Sequence, residues 1–131
     1  EALAFNKIVP DHPFRFAIDE KEALSQLFAA IKEECQQKKC SRAVIVGHNA
    51  WFDQHFLNEA AMRSKLKNSP FHRFTSFDTA TLSALVYGHT VLSKACELGE
   101  IAHDSLQAHS ALYDAECTAK LFCKIVNLWP I

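Results

Sequence analysis

The stretch RAVIVGHNAWFDQHFLNEAAMR, running from Arg42 to Arg63, decides how this chain folds. Its opening run, Ala43 to Val46, is apolar and β-branched and reads as a buried strand. Gly47 breaks the run, and His48 and Asn49 carry the chain into a helix whose first turn holds Asp53. Phe52, Phe56 and Ala60 recur at helical spacing, so that face is expected to pack inward. A carboxylate at such a strand-to-helix junction is presented at the carboxyl edge of the sheet, where α/β proteins place ligands. Taken alone, Asp53 reads equally well as a helix cap. A second acid-bearing segment, His109-Ser-Ala-Leu-Tyr-Asp114, raises its standing.

Upstream of this stretch, residues 1–6 are apolar and read as helical, and Pro10 and Pro13 punctuate a turn-rich connection. Asp19 followed by Glu22 has the spacing of a capping box. Leu24, Leu27, Phe28, Ile31 and Cys35 then trace the stripe of an amphipathic helix, ended by the polar run 36–41. Downstream, Asn68-Ser-Pro70 reads as a loop and Phe74 to Phe77 as a short strand. Asp78 is placed to cap a helix over 79–87 that Gly88 stops. A short helix is expected over 91–98, closed by Gly99. A long one follows over about 110–128, with Ala115, Ala119, Phe122 and Val126 inward.

With 131 residues, half of them apolar, the chain is one globular domain at most. A net charge of −1 gives no global attraction to polyanions, so nucleic-acid binding must come from local patches. Lys32, Lys38, Lys39 and Arg42 form one such patch, and Arg63, Lys65, Lys67 and Arg73 another; both read equally as solvated helix ends. Five cysteines with no Cys-x-x-Cys pair argue against a disulfide framework and fit reduced thiols in a cytoplasmic protein. A zinc site lacks its usual ligand spacing. No apolar run is long enough to span a bilayer, and no signal-peptide pattern is present. Two strands cannot form an independently stable sheet, and the helical stripes need more sheet to cover them. Together with a start at Glu1 and a lone methionine at Met62, this predicts that strands of the fold lie upstream of Glu1.

Asp53 and Asp114, from separate helices, carry the hard oxygen donors that magnesium prefers, although a two-ion site needs about three or four acids. An imidazole titrates near neutrality, so His109 could serve as a general base; on residue type alone a surface histidine at a helix entrance is the favoured reading, at about two to one.

GHNAWFD (Gly47 to Asp53) and AHSALYDAE (Ala108 to Glu116) resemble the second and third motifs of the DEDD superfamily of 3′-to-5′ exonucleases, in its histidine-marked branch. EALAFN at the start, VLSKAC (Val91 to Cys96) and the 68–80 segment extend the resemblance, over nearly the whole chain, to bacterial members that trim RNA. The resemblance implies an α/β fold of the ribonuclease H-like exonuclease type, a mixed sheet flanked by helices, with residues 1–131 forming the C-terminal portion of a single exonuclease domain. Its N-terminal strands would then be absent from this chain. It further implies metal-binding carboxylates at Asp53 and Asp114, a general base at His109, and two Mg2+ ions per active site. Phe5, Phe52 and Phe74 would stack on the last bases of the substrate, and Glu1 would contact the terminal base. By composition alone those phenylalanines read as core. Asp78 matches a family aspartate outside the metal cluster.

The implied function is two-metal hydrolysis trimming the 3′ ends of tRNA and other structured RNAs. The implied assembly is a homodimer in which Arg42 and Lys67 belong to a basic surface supporting the other subunit's substrate. The family's first motif, Asp-x-Glu, has no counterpart here, which predicts weak metal binding and absent hydrolysis for the chain as it stands. Two alternatives remain at this point. One is a proofreading exonuclease acting on single-stranded DNA; the other is a non-catalytic module that binds nucleic acid or a partner chain.

Overall fold

The computed structural model describes residues 1–6, 8–104 and 110–129. In chain order the elements are α1 (Ala2–Phe5), α2 (Glu20–Gln37), β1 (Ala43–Gly47), α3 (Ala50–Arg63), β2 (Phe71–Asp78), α4 (Thr79–Tyr87), α5 (Leu92–Leu98) and α6 (Ala111–Val126). The chain divides into two compact units, Ala17–Phe77 on one side and Glu1–Phe16 with Asp78–Ile131 on the other. The result is a mixed α/β chain whose described strands form one two-stranded parallel sheet, flanked by helices. No helix among the described residues is long and apolar enough to cross a membrane.

In the Ala17–Phe77 unit, α2 starts where the capping pattern places it. The Asp19 carboxylate accepts from the Glu22 N–H at 2.9 Å, satisfying one of the donors a helix start leaves without a partner. Glu22 turns its own carboxylate forward to accept from the Gln26 amide at 2.7 Å. Leu24 and Phe28 are buried, and Phe28 meets Phe71 of β2 edge-on, ring centres 6.2 Å apart. Ile31 and Cys35 are half-buried. Leu27 departs from the expected stripe, being 41% exposed.

In β1, Ile45 and Gly47 are buried and the other three residues half-buried. The Ala43 N–H donates to the Pro70 carbonyl at 2.9 Å, which joins the beginnings of the two strands and sets their parallel register. The crossover between them is α3, as parallel neighbours require. β2 begins at Phe71, three residues before the expected Phe74. His72 and Arg73 break the apolar alternation that would have marked those residues as strand, while a proline just before a first strand residue is well tolerated.

The inward face of α3 differs from the expected one. Phe52 and Phe56 are 52% and 56% exposed, whereas Ala50 is fully buried and Gln54, Leu57 and Ala61 are half-buried. The positions 50, 54, 57 and 61 form their own helical stripe. The backbone entering the helix at Asn49 aims that stripe at β1 and leaves the phenylalanines outside.

In the other unit, Asp78 caps α4 as expected, its carboxylate accepting from the Ala80 N–H at 2.8 Å. Gly88 ends the helix at φ 75°, a left-handed backbone that glycine adopts without strain. The buried Ser83 hydroxyl donates to the Ala80 and His89 carbonyls, holding the turn that follows. α5 starts one residue later than expected, with Val91 at its N-cap position.

The buried face of α6 is Cys117, Thr118, Leu121 and Ile125. The predicted stripe lies further round the helix: Ala115, Ala119 and Val126 are exposed, and Phe122 is half-buried. Both stripes have helical spacing. Ala95, Leu121 and Ile125 form the centre of the core, packed against Leu82, Val86, Leu92 and Ile101.

Leu121→Ala is therefore expected to lower stability by about 2–5 kcal/mol through the lost transfer energy and the cavity left behind. Ala119→Ser, on the exposed face, should change it by less than about 0.5 kcal/mol. Urea unfolding of the two variants beside the parent measures both.

Candidate active site

Asp53 is the fourth residue of α3 and the acid of its first turn. Its position follows from two of the three residues before the helix. Gly47 ends β1, and Asn49 adopts a left-handed backbone at φ 65°, a conformation in which asparagine is several-fold enriched. That sharp turn folds the helix start back over the end of the strand. A Cβ added at Gly47 would lie 2.8 Å from Asp53 Oδ2 and 2.9 Å from the Ala50 Cα. The carboxylate thus lies against the strand's last residue, at the carboxyl edge where the sequence put it. Only a glycine leaves room for it there.

Around Asp53, α3 presents aromatic side chains outward. Phe52 and Phe56 are in ring contact at 4.7 Å, and Trp51 meets Phe52 edge-on at 5.8 Å. Phe74 of β2 is 80% exposed, with the Arg73 guanidinium 5.2 Å from its ring centre. Gln54, one residue past Asp53, reaches β2: its amide donates to the carbonyls of Arg73 at 3.1 Å and His72 at 3.4 Å. The imidazole of His72 accepts through Nδ1 from the N–H groups of Phe74 at 3.3 Å and Thr75 at 3.0 Å. Gln54, His72 and Arg73 also line a cavity of about 430 Å³ in this unit.

Sequence reasoning passed over Gln54 and His72. The spacing His-x-Phe inside a strand was the available signal, because it puts His72 and Phe74 on one face.

Asp114 belongs to the other unit and is the fourth residue of α6, half-buried in its first turn. Near it, Cys96 and Cys117 are buried. Burial, then the Cys117 thiol, then the Asp114 carboxylate raise the Cys96 thiol from 9.0 to about 11. Tyr113 pins the approach to α6, its phenol oxygen accepting from the Asp104 N–H. That N–H favours the phenolate, but burial and the Cys117 thiol outweigh it and hold the phenol above its ordinary value.

In the same unit Glu1 and Phe5 sit at the two ends of α1, both exposed, Phe5 at 63%. His109 lies outside the described residues. Asp78 serves as the α4 cap.

The exonuclease resemblance implies divalent metal ions, and the described residues answer this in part. Asp53 and Asp114 offer carboxylate oxygens, the donor type that magnesium prefers. Among the described residues, however, no three His, Cys, Asp or Glu side chains gather in a group that could hold an ion.

Gly47→Ala should push the Asp53 carboxylate and the start of α3 outward and cost about 1–3 kcal/mol of stability, as overpacking does; urea unfolding measures the loss. A second expectation concerns pH. The raised Cys96 value means that the neutral thiol is favoured by folding, so its contribution is full below pH 9.0 and is lost as pH climbs through about 11. The decline in urea midpoint over that window should be shallower in Cys96→Ala than in the parent.

Comparison with known proteins places the sequence in a family. An exonuclease family model, that of RNase T, matches residues 4–122. Ribonuclease T of Shewanella denitrificans (strain OS217) is 56% identical over 129 residues, covering 98% of this chain and 57% of that protein. Ribonuclease T of Wigglesworthia glossinidia brevipalpis is 55% identical over 128 residues, covering 98% of this chain and 60% of its own length. The chain thus spans a little over half the length of these curated relatives. With the family match extending from α1 into α6, the chain belongs to the RNase T exonuclease family.

Proposed function

We propose that this chain is the C-terminal portion of a single 3′-to-5′ exoribonuclease domain that trims the 3′ ends of tRNA and other structured RNAs. The observation that carries the reading is the Asp53 carboxylate held against Gly47, with the exposed Phe52 beside it on α3. A hard anionic ligand and an aromatic surface for bases are then presented by consecutive residues. The similar proteins are named as ribonucleases, which supports an RNA substrate.

In this reading Asp53 and Asp114 hold magnesium, two ions in the intact active site. Bound there, the ions supply Lewis acidity that stabilises the attacking and leaving oxygens of a phosphodiester. His109 takes the proton of the attacking water, a task suited to an imidazole that titrates near neutrality. Phe5, Phe52 and Phe74 stack on the terminal bases, each stack contributing about 1–3 kcal/mol with little regard for base identity. Glu1 accepts hydrogen bonds from the terminal base. The enzyme works in the cytoplasm as a homodimer, with Arg42 and Lys67 on the basic surface that meets RNA.

A second reading has one observation in its favour, the lack of a three-ligand cluster among the described residues. In that reading the chain alone binds nucleic acid without cleaving it.

The test uses the intact enzyme and a 3′-tailed tRNA. Asp114→Asn should abolish release of nucleoside monophosphates, and undiminished trimming rejects the proposal. His109→Ala should slow the reaction by about 10²–10⁴-fold while leaving magnesium binding in place, since a base acts on water. Faster turnover on single-stranded DNA than on tailed tRNA would favour a proofreading role. Salt-dependent oligonucleotide binding without saturable magnesium binding would favour the silent module.

A further inference from the structure

We infer that Gln54 and His72 are positioning residues that together hold Phe74 in its stacking orientation and fix it relative to Asp53. This deepens the exonuclease reading and rests on Phe74 contacting the terminal bases.

The argument starts from the backbone of β2. Residues 72–75 carry polar groups that the neighbouring strand's ladder would ordinarily satisfy. Here four of them are met by side chains. The carbonyls of His72 and Arg73 accept from the Gln54 amide, and the N–H groups of Phe74 and Thr75 donate to the His72 imidazole. The short run bearing Phe74 is thus held at its carbonyls by α3 and at its N–H groups by its own histidine.

Gln54 directly follows Asp53, so its hold on β2 sets the spacing between the metal-binding carboxylate and the aromatic. Phe74 cannot be oriented by packing, because four-fifths of it is exposed. Its only ring contact among those described is with the mobile-stemmed guanidinium of Arg73. What directs it is the backbone at 74, and these hydrogen bonds fix that backbone.

The chemistry of each residue is specific to the task. Gln54 acts through two N–H donors on one nitrogen, so Gln54→Glu keeps the shape and removes the donation. His72 acts through Nδ1 as an acceptor, which places its proton on Nε2. An asparagine side-chain oxygen can accept from the same N–H groups two residues on, as in an Asx turn, whereas a phenylalanine cannot.

The intact enzyme is assayed on an RNA with an unpaired 3′ end carrying 2-aminopurine as its last base. Gln54→Glu and His72→Phe should each raise KM roughly tenfold, within the range one base's stacking supports, with kcat nearly unchanged. Both should also relieve the quenching of 2-aminopurine on binding. His72→Asn should restore KM and quenching to near the parent values. Phe74→Ala runs in parallel and separates the two ideas. If Phe74→Ala raises KM but Gln54→Glu and His72→Phe do not, the positioning role is overturned and the stacking reading stands. If Phe74→Ala leaves KM and quenching unchanged, the stacking reading fails and the positioning role falls with it. Should His72→Phe not fold, Gln54→Glu and the Asn variant decide: a parent-like KM in Gln54→Glu overturns the inference.

Discussion

The close approach of the Asp53 carboxylate to the backbone of Gly47 is the constraint on which the α3 side of the site depends. It exists because three residues of different character stand close together. Val46 is the half-buried last apolar residue of the strand, Gly47 offers no Cβ, and Asn49 tolerates a left-handed backbone. Change any of these properties and the helix leaves the strand along another line. The outward set of Phe52 and Phe56 and the inward set of Ala50 and Leu57 then rotate with it. The aromatic face and the carboxylate are thus products of one turn, because every side chain of the first two helical turns takes its direction from that turn.

Asp53 and Asp114 share a local device. Each is the fourth residue of its helix, and neither Asn49 nor Ser110 makes a side-chain capping hydrogen bond. A helix start carries partial positive charge from its N–H groups, so a first-turn carboxylate is stabilised by about 0.3–1 kcal/mol. The same partial charge would repel a bare cation. The carboxylate reverses the local sign while its backbone stays fixed by the helix, which makes it a better-oriented donor than an acid on a loop would be.

How much of this was legible in the sequence follows from which physical signals are local. The caps at Asp19 and Asp78, the stop at Gly88 and the strand at β1 are set by neighbouring residues, and each stands where the pattern put it. The facing of α3 and α6 was misjudged for a shared reason. Both helices carry two apolar stripes, and only the packing partner selects between them. In α3 the large phenylalanines lost to alanine and leucine, and in α6 alanines lost to Cys117, Thr118 and Leu121. Residue size is a poor guide when the neighbouring surface is unknown. Asp53 and Asp114 were singled out by the pairing of two acid-bearing segments and by the motif resemblance, since an acid in a helix's first turn is common. Gln54 and His72 were missed because their partners are backbone groups 18 residues away and two residues on, and such partners leave no trace in composition.

The exposed aromatics bring these strands of argument together. A large ring in water is unremarkable singly, since much of any protein surface is apolar. Trp51, Phe52 and Phe56 are adjacent and in ring contact, which makes them a patch rather than a scatter. Contacts among rings contribute about 0.5–1.5 kcal/mol per pair, less than the roughly 1.5–3 kcal/mol that fully burying a phenylalanine would bring. The rotation actually adopted is the one that lays Asp53 against Gly47 and lets Gln54 reach β2. Phe52 and Phe56 thus stay exposed on the same helix that carries the Asp53 carboxylate and the Gln54 amide.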